Sequence, residues 1–548
     1  MIFKFPPISG RPLWRSAAVL VLIWPLGLTV SAQEGSPSAP HTPSALPSLG
    51  DAASQTLSPM AERRLGDRIM RSILRDPDVI DDPLTLEYIN DIWQALLTSA
   101  RQRGEIGPDL EASHAWRPFL VRDRSINAFA LPGGYIGVHL GLLAMTGSPD
   151  ELASVLAHEM SHVTQRHIAR MIGDQQRQSW VSIASMVLGA LAISRNPQAG
   201  QALMVGGQAV AIQGQLNFSR DMEREADRVG FGILGDAGFA TAGMAQMFEH
   251  LQQASRLTDD NSFPYLRTHP LTNDRIGEAR SRMGLNGWQV PATDRDAARL
   301  VLLARHALLA ARARVLADPR SVSITPLTHP TVPKDATALQ TVALHYMGAV
   351  ASQRLEDRAG VAASLKQARA AALALPRPQQ AAIARLLALE EADVQVDGRQ
   401  PVLAAATLSA SVEQDPNSAA RVMARPELLL AARIALNLPD ARDNRAAWND
   451  AAMHLQTHVS THAEDASAWT ALSALWQRLD QPLRAVRAEA EATAALGDLP
   501  GAIDRIEGAR KASRRASTAD AIELSVMQSR LRTWQRQQRE DLAEEGGH

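Results

Sequence analysis

The sequence predicts a mainly α-helical chain in two parts: an α+β domain with a small sheet, then a solenoid of helical repeats. Three observations predict it. A capped, apolar-striped helix begins at Ser148. A run of strand-type residues, Asn127 to Leu140, folds back around Pro132-Gly133-Gly134. From about Asp294 the composition turns rich in Ala and Leu, with no strand signals. At 548 residues the chain should hold more than one domain, and a 45% hydrophobic share is enough for a sizeable core.

The N-terminus reads as a secretory signal. Lys4, Arg11 and Arg15 precede an apolar stretch from Ala17 to Val30, and Val30-Ser31-Ala32 supplies small residues for cleavage after Ala32. Residues 1–32 are therefore expected to direct export to a bacterial periplasm. The apolar stretch is short for an uncleaved anchor. Residues 33–58, rich in Ser, Pro and Ala, read as a flexible linker.

Residues 59–293 are expected to form the α+β domain. Tyr88, Ile89, Ile92, Trp93, Leu96 and Leu97 recur at helical spacing within a helical region from about Met60 to Arg103. Phe119-Leu120-Val121 reads as a short strand. Asn127 to Leu140 reads as a hairpin whose Gly133 and Gly134, beside Tyr135, would let another backbone approach. A substrate could add there as an extra strand, so Asn127, Gly133, Gly134 and Tyr135 are candidate substrate-binding residues. A plain structural hairpin explains the same residues equally well.

The next helix carries the chemistry. Ser148 and Glu151 make a capping-box pair, with Pro149 at the first helical position. Leu152, Val155 and Leu156 give the apolar stripe. His158 and His162 lie four residues apart, hence on one face, where two imidazoles can grip one metal ion. Glu159 sits beside them, where its carboxylate can reach a water on the metal. The helix is expected to run on through His167 to about Met171. His167 is spaced wrongly for a third ligand of the metzincin type and reads as a partner for a carboxylate or as a surface residue.

Trp180 to Ser194 is apolar but short for a span and is interrupted by Gly189. It reads as a buried or interfacial helix, with peripheral membrane contact as the alternative. A later helix carries Glu223, Glu225 and Asp227 and stops near Gly235. Glu223 is the expected third metal ligand. Asp227, one turn on, can accept a hydrogen bond from the free nitrogen of a ligating His. Glu225 points elsewhere and reads as surface or salt-bridged. His269, held before Pro270, could reach the open metal position, where it could steady an oxyanion or block the site.

Taken together, His158-Glu159-x-x-His162, Glu223-x-x-Ala226-Asp227 and Thr268-His269-Pro270 resemble the gluzincin family of CAAX-prenyl and HtpX-like proteases. Within it, the chain is similar to the periplasmic β-barrel assembly-enhancing group. The resemblance implies a zincin-like protease domain and one Zn2+ at His158, His162 and Glu223. It also implies Glu159 as catalyst, Asp227 as the acid behind the ligands, and His269 as a regulatory or transition-state histidine.

In residues 294–548, repeats near a period of 34 are degenerate. Trp469, Leu472, Trp476, Ala485 and Ala492 fit one tetratricopeptide unit; Ala404 and Pro416, and Gly348, Ala371 and Pro376, suggest others. A non-repeating helical bundle is the alternative. The expected partners are misassembled outer-membrane protein clients and the β-barrel assembly machinery. A net charge of -2 with no long basic run argues against nucleic acid. Zero cysteines exclude disulfides, thiolate ligands and a cysteine nucleophile.

Overall fold

The computed structural model describes residues 57–174, 219–257, 263–283, 297–413, 423–512 and 518–546. The signal, nearly all of the linker and the Trp180 to Ser194 stretch lie outside these residues. No described helix is long and apolar enough to cross a membrane.

The first helices are α1 (Pro59–Ile73) and α2 (Pro83–Gln102), each with a proline in its first turn and a side-chain N-cap, Ser58 and Asp82. Between them lies the two-residue strand β1 (Val79–Ile80). After α3 (Pro108–Ser113) come β2 (Arg117–Val121), β3 (Ala128–Leu131) and β4 (Tyr135–His139). The sheet order is β1-β2-β4-β3. The hairpin pairs Leu131 with Tyr135 in antiparallel register, while β2 runs parallel to β4. This leaves β3 on the edge, beside the His-Glu helix.

Gly133 and Gly134 have φ of 76° and 82°, as a tight turn between these strands requires. The close backbone approach they permit is used by the chain itself. A Cβ on Gly133 would meet the Cα of Arg63 at 2.9 Å, and one on Gly66 would lie 1.9 Å from the carbonyl oxygen of Pro132. Tyr135 is buried and donates to Asp67 Oδ1 at 2.6 Å. These residues therefore clamp the hairpin onto α1.

Helix α4 (Leu140–Met145) leads to α5 (Pro149–Thr164), in which every residue is buried. Ser148 caps it by accepting from the Glu151 amide, whereas Glu151 reaches back one residue further, to the Gly147 amide. The helix does not run on to Met171. It ends at Thr164, Arg166 takes a left-handed φ of 53°, and α6 (His167–Asp174) starts anew. Arg166 is held there by buried Glu62, with both Nε and Nη2 3.2 Å from Glu62 Oε2, and by the Leu57 carbonyl. The domain continues with α7 (Arg220–Asp236), α8 (Ala242–Leu257), α9 (Pro264–Thr268) and α10 (Asn273–Met283).

Helix α11 (Ala297–Leu316) packs on α4 and on the helices that begin at Ala338 and Arg377, so one apolar core spans both regions. Beyond it, antiparallel helix pairs follow, starting at Ala338, Arg377, Arg425 and Ala466. Successive pairs do not start at a constant interval, which is why a single period was faint in the sequence. The start of α2 presents an acidic row to these helices. Asp82 pairs with Arg312, which also holds Glu390; Glu87 pairs with Arg385; Asp81 pairs with Arg425.

His306 of α11 accepts from the Tyr88 hydroxyl at Nδ1 and donates from Nε2 to the Thr146 carbonyl. Burial pushes it down to about 4. A folded-state value below the unfolded one stabilises the protein above the ordinary value of 6.5 and is lost as pH falls towards about 4. Urea unfolding across that window should show stability falling by up to about 1.4 kcal/mol per pH unit from this group. His306→Gln should flatten that dependence; an unchanged slope would refute the assignment.

Candidate metal centre

Helix α5 supplies His158 and His162 one turn apart. Helix α7 crosses it closely, with Gly230 at the crossing: a Cβ there would lie 3.1 Å from the Ala157 carbonyl oxygen. Glu223 and Asp227, on the same face of α7 as Gly230, are thereby laid over His158. Short helix α9 ends at His269, where the following proline disfavours helical geometry, and the ring turns inward under a stacked Tyr265.

Nitrogens of His158, His162 and His269 and an oxygen of Glu223 all lie within 4.8 Å of one another, every residue buried. His158 Nε2 is 3.0 Å from His162 Nε2 and 3.3 Å from His269 Nδ1. Glu223 lies 3.4 Å from His158 Nε2, 3.5 Å from His162 Nε2 and 2.9 Å from His269 Nδ1. Donors held about 2.0–2.1 Å from a tetrahedral zinc sit about 3.3–3.4 Å apart, so these separations are of the right size.

The charges also call for a cation. Asp227 Oδ1 lies 3.0 Å from His158 Nδ1, off the line of an ideal hydrogen bond but close enough to favour a proton on that nitrogen. The Nε2 lone pair then points into the cluster. Burial alone would lower His158; the Asp227 and Glu223 carboxylates outweigh it and hold the imidazole up at about 9. Burial and the neighbouring imidazoles push His162 well below its ordinary value. Against burial, His269 and His158 hold Glu223 far below the usual carboxylate range. The cluster thus keeps positive charge at its centre, from a proton or from a metal.

Glu159 is fully buried, and burial raises its carboxyl above the ordinary value, opposed by His269 and His158. Its oxygens have no well-aligned hydrogen-bond partner among the described residues, and His269 Nε2 is 3.5 Å from Oε1. The Ala130 backbone of edge strand β3 also faces this carboxylate.

The profile of peptidase family M48 matches residues 97–283. Residues 97–283 are thus similar to an M48 peptidase domain. A Vibrio cholerae protein is 41% identical over 244 residues, covering 44% of this chain and 48% of its own length. The β-barrel assembly-enhancing protease of Escherichia coli is 37% identical over 240 residues, 43% of this chain and 47% of that one. The mitochondrial metalloendopeptidase OMA1 of Arabidopsis thaliana is 32% identical over 169 residues, 31% of each chain. The chain spans about half the length of the bacterial relatives it matches. The four-donor cluster and Glu159 all fall inside the matched residues.

Two residues of this domain carried no signal in the sequence reading. Arg275 is buried and binds Asp227 with Nε and Nη2, at 2.7 and 2.8 Å, while Nη1 lies 2.7 Å from Glu223 Oε2. It fixes the two carboxylates that face His158. Tyr265 covers His269. Both follow only from helix α10 and α9 folding back over α7. Glu225, expected to be at the surface or salt-bridged, pairs with His167 and Arg170.

Glu223→Ala should strip divalent metal from the protein on dialysis. Wild-type metal content in that variant, measured by atomic absorption, would show that Glu223 is no ligand.

Proposed function

We propose that the chain is a zinc metalloendopeptidase of the bacterial periplasm that degrades misassembled outer-membrane proteins and assists β-barrel assembly through its helical repeats. The observation that carries this is the buried four-donor cluster with the fully buried Glu159 carboxylate beside it. The M48 match supports the class, and the Escherichia coli relative, a β-barrel assembly-enhancing protease, supports a role in β-barrel assembly. The N-terminal signal reading supports the compartment.

His158, His162 and Glu223 would hold the zinc, with Asp227 and Arg275 fixing the His158 side. When bound, zinc supplies Lewis acidity toward a water and the scissile carbonyl. Glu159, its affinity for protons raised by burial, takes the proton of the attacking water and returns it to the leaving amine. Edge strand β3 pairs with β4 on one side only among the described residues, and Asn127 Oδ1 beside it is buried without a partner. An extended substrate adds along Ala128–Leu131 toward Glu159, with Asn127 as an acceptor for its backbone. Gly133, Gly134 and Tyr135 hold that strand against α1. His269 serves at the fourth position, as a latch at rest or as a donor to the developing oxyanion.

The repeats would bind the assembly partner. A cleft of about 1030 Å³, lined by Arg312, Glu390 and Arg433, opens between them and the start of α2. One observation favours a second reading, a chaperone whose metal site stays latched: His269 already stands among the four donors.

Glu159→Gln should retain zinc and lose about 10²–10⁴-fold in turnover on an unfolded outer-membrane protein. Wild-type cleavage by that variant would refute the mechanism. Full rescue of client assembly by it in deleted cells would favour the chaperone.

A further inference from the structure

The outer nitrogen of His162 faces another imidazole: its Nδ1 lies 2.8 Å from Nδ1 of His167, and His167 Nε2 lies 3.1 Å from Glu225 Oε2. Arg170 Nη1 sits 2.9 Å from the same oxygen, which keeps Glu225 ionised. We propose that His167 and Glu225 are positioning residues that act as a one-way hydrogen-bond relay, fixing which nitrogen of His162 faces the metal.

The relay has a direction because an ionised carboxylate can only accept. His167 must then carry its proton on Nε2. In a neutral imidazole that leaves Nδ1 as an acceptor, so His162 must donate from Nδ1. The lone pair of His162 is thereby placed on Nε2, the atom 3.0 Å from His158 Nε2. Asp227 performs the same service for His158 directly, whereas on the His162 side a second imidazole stands between the ligand and Glu225.

An independent feature points the same way. A helix running straight on from Thr164 would carry the residue five positions after His162 away from that ligand's face. The left-handed turn at Arg166 breaks the helix and returns His167 to His162. A non-glycine residue there is strained, and it is locked by buried Glu62 and the Leu57 carbonyl. The Glu62–Arg166 pair thus maintains the turn that makes the relay possible.

The inference rests on the metal-site reading above. Its test is zinc affinity of the full chain, measured by competition with a chelating dye, with the absorption spectrum of the Co2+-loaded protein beside it. His167→Leu should weaken zinc by about 10–100-fold. His167→Asn, whose Oδ1 can still accept from His162, should recover most of that loss. Glu225→Gln, which no longer dictates the His167 tautomer, should weaken zinc several-fold. The zinc-free thermal midpoints of Asn and Gln variants should match wild type, which a purely structural role would not allow. If His167→Leu does not fold, Glu225→Gln decides. Affinity within twofold of wild type and an unchanged Co2+ spectrum, in His167→Leu or failing that in Glu225→Gln, would overturn the relay while leaving the metal site standing. A wild-type chain that binds no zinc would overturn both.

Discussion

Two imidazole nitrogens 3.0 Å apart in a buried pocket set the terms for the domain around them. Two lone pairs at that distance repel unless positive charge lies between or beside them. Every nearby element supplies part of the answer. Helix α7 brings Glu223 and Asp227, α10 brings Arg275 to balance them, and α9 brings His269. The full burial of α5 keeps the two rings in place, since a helix packed on all sides cannot turn to relieve the repulsion.

The same logic explains why the surroundings are so polar for a core. Glu62 and Arg166, Asp227 and Arg275, and Glu225 and Arg170 are paired close to the cluster, each satisfying charges that would otherwise be costly to bury. Farther out, the acidic row at the start of α2 takes arginines from α11 and from the helices that begin at Arg377 and Arg425. With the shared apolar core, these pairs join the C-terminal helices to the region that holds the donor cluster.

Local signals in the chain were strong enough to place most of this. Ser148-Pro149 announced the metal helix, His158 and His162 shared its face by periodicity, and Pro132-Gly133-Gly134 announced the hairpin. The helix break at Arg166 was not legible, because nothing local disfavours a helix through Gln165-Arg166-His167; the break is imposed by Glu62, about a hundred residues earlier in the chain. Arg275 looked like any helix arginine, since its partners lie on α7. The hairpin glycines were read as leaving room for a substrate, but a sequence cannot say which backbone fills that room, and α1 does.

By itself the sequence determined the donor types, the two-histidine spacing and the acid between them, because helical periodicity and side-chain chemistry act over one or two turns. Only the tertiary structure decided that Glu223 and His269 meet those histidines, that β3 lies at an edge of the sheet, and that His167 stands behind His162. Those are distances between segments far apart in the chain, set by helix crossing and burial rather than by any neighbouring residue.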